Sequence, residues 1–216
     1  MERWVLLRKG ADFEAIGKKY QISPRLACLI RNRDVIGEEA VDRYLNGTIS
    51  DLYDGMLMKD MDKAIDILKE KILEDKKIRV IGDYDIDGVN ATYILLEGLE
   101  RLGADVDSDI PDRISDGYGL NRHLVERAYE AGVDTLITCD NGIVAADEIA
   151  YGKEMGMTVI VTDHHEVPFD EQDGEKRYRI PPADAVMDPK QPDCLYPFKG
   201  LCGAAVAYKL MEALWE

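Results

Sequence analysis

Between residues 61 and 77 apolar side chains recur at helical spacing. Ile65, Leu68 and Ile72 share one face of MDKAIDILKEKILEDKK and charged residues take the other, which predicts an amphipathic helix. From residue 78 the pattern changes. Short apolar runs (IRVIG, the weaker DVDSDIP, DTLITCD, MTVIVTD, ADAVMD) alternate with longer helical stretches: GVNATYILLEGLERLG, NRHLVERAYEAG opening at Asn121, VAADEIAYGKEMG, and a last helix through GAAVAYKLMEALW. DEQDGEKRY, before the final run, predicts a polar loop. Residues 1–58 read as short helices, with Ser23 as N-cap and Pro24 at the first helical position of one, and an Asn46–Gly47 stop ending another. Strands alternating with helices pair in parallel. The predicted fold is therefore α/β: a doubly wound, mainly parallel sheet flanked by helices over residues 59–216, with an N-terminal helical extension over residues 1–58.

That order gives the acidic residues a common address. Asp83, Asp85 and Asp87 follow the first run, Asp140 ends TLITCD, Asp163, His164 and His165 end VIVTDHH, and Asp188 ends DAVMD. Ligands of open parallel sheets bind outside the carboxyl ends of the strands. Four strand ends are thus expected to send carboxylates or imidazoles into one crevice.

Charge sharpens the question. Lys plus Arg number 27 and Asp plus Glu 43, a net charge of −16, so the overall field does not draw nucleic acid. A phosphate-bearing ligand would need metal ions or a few local cations. No apolar run approaches the roughly 18 residues of a membrane span, which argues against a membrane partner, and MERWVLLRKG is not a signal peptide. Four scattered cysteines without a C-x-x-C suggest reduced thiols and a cytoplasmic protein.

Three aspartates two residues apart, if the chain runs extended, lie about 6–7 Å apart on one face and repel unless a cation neutralises them. A solvated Asp–Gly turn is the plain alternative; it leaves the convergence with Asp140 and the two histidines unexplained. An EF-hand loop would require Glu at its twelfth position, where Ile94 stands. A haloacid-dehalogenase-like phosphatase would use Asp85 and Asp87 but give His164 and His165 no task. A two-metal hydrolase uses them all. Oxygen-rich ligands with an imidazole suit Mn²⁺ or Mg²⁺, and two such ions act on phosphoryl groups.

The ordered set GDYDIDG, IPDRISDGYGLN, DNGI, VTDHHEVP and DPKQPDCLYPFKGLCGAAVAYKL resembles the DHH phosphoesterase superfamily, and within it the RecJ-type single-stranded-DNA exonucleases, from about residue 60 onward. The resemblance implies metal ligation by Asp83, Asp85, Asp87, Asp140 and His164, with Asp140 bridging two ions. It implies a catalytic role for Asp140 and His165, with His165 facing the substrate phosphate. Asp163, Asn141 and Asp188 would support these groups, and Arg113 would grip the substrate strand beside Tyr118. The implied activity is metal-dependent 5′-to-3′ hydrolysis of single-stranded DNA in repair or recombination, with repair or replication proteins as partners. A phosphodiesterase for short oligonucleotides or cyclic dinucleotides and a non-catalytic replication scaffold are the alternatives.

Two departures stand out. Ile81 replaces the His of the pyrophosphatase branch, and Asp188 stands where RecJ-like sequences often have Asn. LMEALWE breaks off in mid-pattern. The chain is therefore expected to stop short of the family's last metal-ligand motif and second domain, and one metal site is expected to be weakened.

Overall fold

The computed structural model describes residues 9–112, 114, 117, 119–172 and 174–216. The chain packs as two compact units, Met1–Leu52 and Tyr53–Glu216. The division comes after Leu52 rather than after residue 58. The short turn Gly55–Leu57 packs on Lys209, and Met58 joins the core of the second unit.

In the first unit three helices follow one another: α1 (Phe13–Tyr20), α2 (Pro24–Asn32) and α3 (Glu38–Asn46). Asp12 and Ser23 cap the first two by accepting the amides of Ala15 and Leu26, so the Ser-Pro start seen in the sequence sets α2. Ala15, Ile16, Tyr20, Ile30 and Val41 line a hollow of about 390 Å³ between them.

The second unit begins with α4 (Met61–Leu73) and continues as β1 (Ile78–Ile81), α5 (Ile86–Arg101), β2 (Val106–Asp109), α6 (Arg122–Glu130), β3 (Thr135–Cys139), α7 (Ala146–Glu154) and β4 (Thr158–Thr162). An antiparallel hairpin follows, β5 (Phe169–Gln172) with β6 (Glu175–Tyr178), then β7 (Ala185–Met187) and α8 (Gly203–Trp215). The five-stranded sheet has the order β2-β1-β3-β4-β7 and is parallel throughout. Side chains alternate between its two faces. Val80, Ile137, Cys139, Ile160 and Met187 join Leu68, Leu95, Leu99, Val206 and Leu210 in one core, so α4, α5 and α8 cover that face. Ile81, Leu136, Val159, Val161 and Val186 join Leu124, Val125 and Ile149 in the other, under α6 and α7. Helices on both faces of a parallel sheet make the doubly wound α/β architecture.

Two expectations need correction. DEQDGEKRY does not form a mere loop: Phe169–Gln172 and Glu175–Tyr178 are strands, with Phe169 paired to Tyr178 and Glu171 to Lys176, and both lie exposed. And Asp83, Asp85 and Asp87 do not continue an extended strand. β1 ends at Ile81, Asp85 is the N-cap of α5, and Asp87 lies in its first turn. The cap accounts for this: the Asp85 Oδ1 accepts the amides of Asp87 at 2.8 Å and Gly88 at 3.0 Å, which turns the chain into a helix soon after the strand ends.

Candidate metal centre

The strand order reverses direction between β1 and β3: β1 leads to β2 on one side, and β3 leads to β4 on the other. The crevice at such a switch point is where doubly wound sheets bind ligands. Asn141 fixes its floor. Its Nδ2 donates to the carbonyls of Ile81 at 3.2 Å and Cys139 at 2.9 Å, tying the ends of β1 and β3 together.

Asp140 opens the turn after β3 with φ 60, a left-handed conformation that Asp tolerates better than most residues. Its amide still donates to Thr162, extending the ladder with β4, while Thr138 Oγ1 donates to the Asn141 carbonyl at 2.9 Å. Gly142, at φ 111, completes the turn; a Cβ there would meet Thr138 Oγ1 at 2.3 Å. These contacts explain the Asp-Asn-Gly sequence and hold the Asp140 carboxylate, almost fully buried, at the carboxyl edge.

Two sets of candidate ligands share that carboxylate. Atoms of Asp83, Asp85 and Asp140 lie within 4.8 Å of one another, and so do atoms of Asp140, His164 and His165. His164 Nε2 is 2.9 Å from Asp140 Oδ1 and 3.5 Å from Asp87 Oδ2. Asp83 is buried, and its Oδ1 has no hydrogen-bond partner among the described residues. A buried carboxylate oxygen without a donor is costly unless a cation takes it. The donor set, mostly carboxylate oxygens with imidazole, fits Mn²⁺ or Mg²⁺ better than zinc.

The electrostatics are those of carboxylates crowded together in a buried place. Burial pushes the Asp140 carboxyl up to about 7, with Asp87 and Asp85 adding to the rise. Burial pushes Asp188 up to about 7 as well; one of its oxygens accepts the Lys190 amide at 2.7 Å and the other has no hydrogen-bond partner among the described residues. The two histidines move in opposite directions. Burial, then the neighbouring His165, lowers His164, while the hydrogen bond to Asp163 raises His165. Asp163 itself is fully buried. Its Oδ1 accepts the amides of His164 and His165 and bonds His165 Nδ1 at 2.7 Å, and its Oδ2 accepts the Ile143 amide.

Asp87 has a second attachment. Its carboxylate accepts the amides of Gly203 at 2.7 Å and Ala204 at 2.8 Å, sitting on the N-terminus of α8. Burial alone would raise it, but those amides and the Cys202 thiol outweigh burial and leave it below the usual carboxylate range. The partners are 116 and 117 residues away, so nothing local in the sequence announces them. Gly88 and Gly203 are further site residues. A Cβ on Gly88 would meet the Asp83 carbonyl oxygen at 2.6 Å, and one on Gly203 would meet Asp140 Oδ1 at 2.5 Å. Gly88 had no signal in the sequence beyond the Asp-Gly pair. Arg113 and Tyr118, the expected strand-gripping pair, lie outside the described residues.

The four cysteines are free thiols, and burial pushes Cys139 up to about 12, which keeps it inert. No helix among the described residues is long and apolar enough to cross a membrane.

Comparison with known proteins meets this geometry. The chain is 40% identical over 213 residues to the single-stranded-DNA-specific exonuclease RecJ of Bacillus subtilis strain 168, covering 98% of this chain and 26% of that protein. It also resembles the crystal structure of an exonuclease RecJ bound to manganese, with a TM-score of 0.61 and 39% identity over 73% of this chain and 37% of the other. A third likeness is to RecJ in complex with Mn²⁺ from Thermus thermophilus, with a TM-score of 0.62 and 31% identity over 94% of this chain and 26% of that one. The chain thus spans about a quarter of the length of the Bacillus relative. Residues 77–216, the stretch that supplies every candidate ligand described above, match the model described as the DHH family, N-terminal domain, and the chain belongs to that family.

Proposed function

We propose that this chain is the catalytic part of a divalent-metal-dependent phosphodiesterase, a RecJ-type exonuclease that removes nucleotides from the 5′ end of single-stranded DNA. The single observation that carries the metal chemistry is the sharing of Asp140 between two ligand sets. The preference for single-stranded DNA is supported by the name of the Bacillus relative, and the 5′-to-3′ direction by the motif resemblance alone. Residues 53–216 serve as the catalytic domain and residues 1–52 as a helical extension, working in the cytoplasm on single-stranded nucleic acid with repair or replication proteins.

Asp83, Asp85 and Asp140 would hold one Mn²⁺ or Mg²⁺ ion, and Asp140 with His164, flanked by Asp87, the other. Bound there, the ions would supply Lewis acidity toward water and the phosphoryl oxygens. The protein's own groups divide the remaining work. The left-handed turn holds Asp140 between the two sets of candidate ligands, where its carboxylate would serve both. Asp163 accepts a hydrogen bond from Nδ1–H of His165 and turns its Nε2 to the substrate phosphate, where the raised pKa keeps the ring protonated and able to donate a hydrogen bond. His164, with lowered basicity, suits the neutral form that a ligand requires.

The test is degradation of 5′- and 3′-labelled single strands with Mn²⁺, by the chain and its Asp140→Asn variant. Release of mononucleotides from the 5′ end, abolished by EDTA and by D140N, supports the proposal. Turnover of dinucleotides or cyclic dinucleotides without attack on either strand points to the short-substrate phosphodiesterase. No turnover of any of them, with DNA still bound, points to a scaffold.

A further inference from the structure

An acidic chain that handles phosphates gains from a cation at the point of contact, and the described residues place one there to which neither the motif resemblance nor the ligand sets give a role. β4 and β7 are parallel neighbours with Thr162 opposite Met187, and the Asp163 amide donates to the Met187 carbonyl at 3.0 Å. The ladder therefore delivers the Asp163-His164-His165 segment and the Asp188-Pro189-Lys190 segment side by side at the same carboxyl edge.

The turn after β7 is built, not loose. The Lys190 amide donates to Asp188 Oδ1 at 2.7 Å, the Gln191 amide to the Asp188 carbonyl at 3.2 Å, and Gln191 Nε2 to the Val186 carbonyl at 2.6 Å. Its outcome is to aim Lys190 Nζ at Glu166, the residue after His165, at 2.9 Å.

Glu166 is a weak partner. Its side chain is 87% exposed, against 27% for Lys190, so solvent screens the carboxylate end of the pair. A strand phosphodiester carries the same single negative charge and accepts ammonium hydrogen bonds equally well, so it can take the place of this carboxylate at little cost.

We propose that Lys190 is a substrate-binding residue that exchanges Glu166 for a phosphate of the nucleic-acid strand next to His165. The proposal rests on the nuclease reading of the centre for its substrate class. The strand phosphate lies with its charge between the Lys190 ammonium and the imidazole of His165, and Glu166 acts as a placeholder that keeps the ammonium in position when no strand is bound.

Fluorescence anisotropy of a labelled single-stranded oligonucleotide on the Mn²⁺-loaded chain, over a range of salt, tests this without needing turnover. Removing one phosphate contact lowers the magnitude of the slope of log affinity against log salt by about 0.7. Lys190→Met is expected to show that loss and about tenfold weaker binding at low salt, and Lys190→Arg to retain most of both. Glu166→Gln is expected to tighten binding, and the gain to vanish in the Lys190→Met background, as coupled neighbours require. A salt slope unchanged in K190M, or an E166Q gain of equal size with and without Lys190, overturns the assignment. Binding with the expected Lys190 dependence but no strand cleavage overturns the nuclease reading instead. Failure of the wild-type chain to bind the strand at all overturns both.

Discussion

Asp163 and His165 form a fixed pair: the carboxylate, fully buried at the end of β4, bonds the ring nitrogen Nδ1 at 2.7 Å and accepts three backbone amides besides. Every group that faces this carboxylate is a donor. An amide in its place must turn its own NH₂ toward one of them. Asp163→Asn is therefore expected to release the His165 ring and cost about 10–100-fold in turnover. The discriminating reading is the His165 titration followed by NMR in the metal-free protein, which should move to lower pH in the variant. Lost activity with an unmoved His165 titration would show that Asp163 acts only on the backbone.

Asp87 stands between two descriptions, ligand and helix cap. As the acceptor for the first amides of α8 it stabilises the fold with no metal present. Asp87→Ala is expected to lower stability in EDTA by about 1–2 kcal/mol, the usual cost of losing such a cap. A group present only for metal would leave stability in EDTA unchanged, or would raise it by relieving the crowding with Asp140. Urea denaturation with EDTA separates the two.

Gly203→Ala places a methyl 2.5 Å from Asp140 Oδ1 and 2.6 Å from its Cβ. Both neighbours are fixed, one by the left-handed turn and the other by the Asp87 contacts, so neither can yield cheaply. The expected cost is about 1–3 kcal/mol of stability, together with weaker Mn²⁺ binding by calorimetry. Unchanged melting and unchanged metal affinity would mean that α8 can slide away from the centre.

The metal-free protein should lose stability as pH rises. Asp140 and Asp188 titrate near 7 when folded, against an ordinary value of 3.8, so the folded chain keeps protons that the unfolded chain has already released. Their contribution is complete below about pH 4 and is lost as pH climbs through about 7. In EDTA, urea midpoints should fall across that window. Asp188→Asn should flatten part of the fall, and saturating Mn²⁺ should oppose it, because metal binding favours the ionised Asp140. Midpoints in EDTA that rise steadily from pH 4 to 7 would contradict the assignment.

Much of this was legible because the sheet is buried on both faces. IRVIG, TLITC, TVIVT and AVM are short continuous apolar runs, and the carboxylates stand where each run stops, which is enough to place them at one edge. The hairpin was not legible for the opposite reason. Both strands are exposed, so no buried face imprints an alternation on DEQDGEKRY. The geometry of the three aspartates was misjudged because Asp85 is at once a candidate ligand and a helix cap, and the cap decides the backbone. The Asp87 attachment to α8 and the Lys190–Glu166 pair depend on tertiary neighbours, and no local pattern encodes them.

The backbone at Asp140 has a practical bearing on how an inert version of this protein should be made. Its φ of 60 lies where a plain side chain is disfavoured by roughly 1–2 kcal/mol and where Asn is among the best tolerated. Truncation to alanine would mix a folding defect into any loss of catalysis. An asparagine at the same place silences the charge while sparing the bend, which makes it the cleaner way to separate lost charge from lost folding.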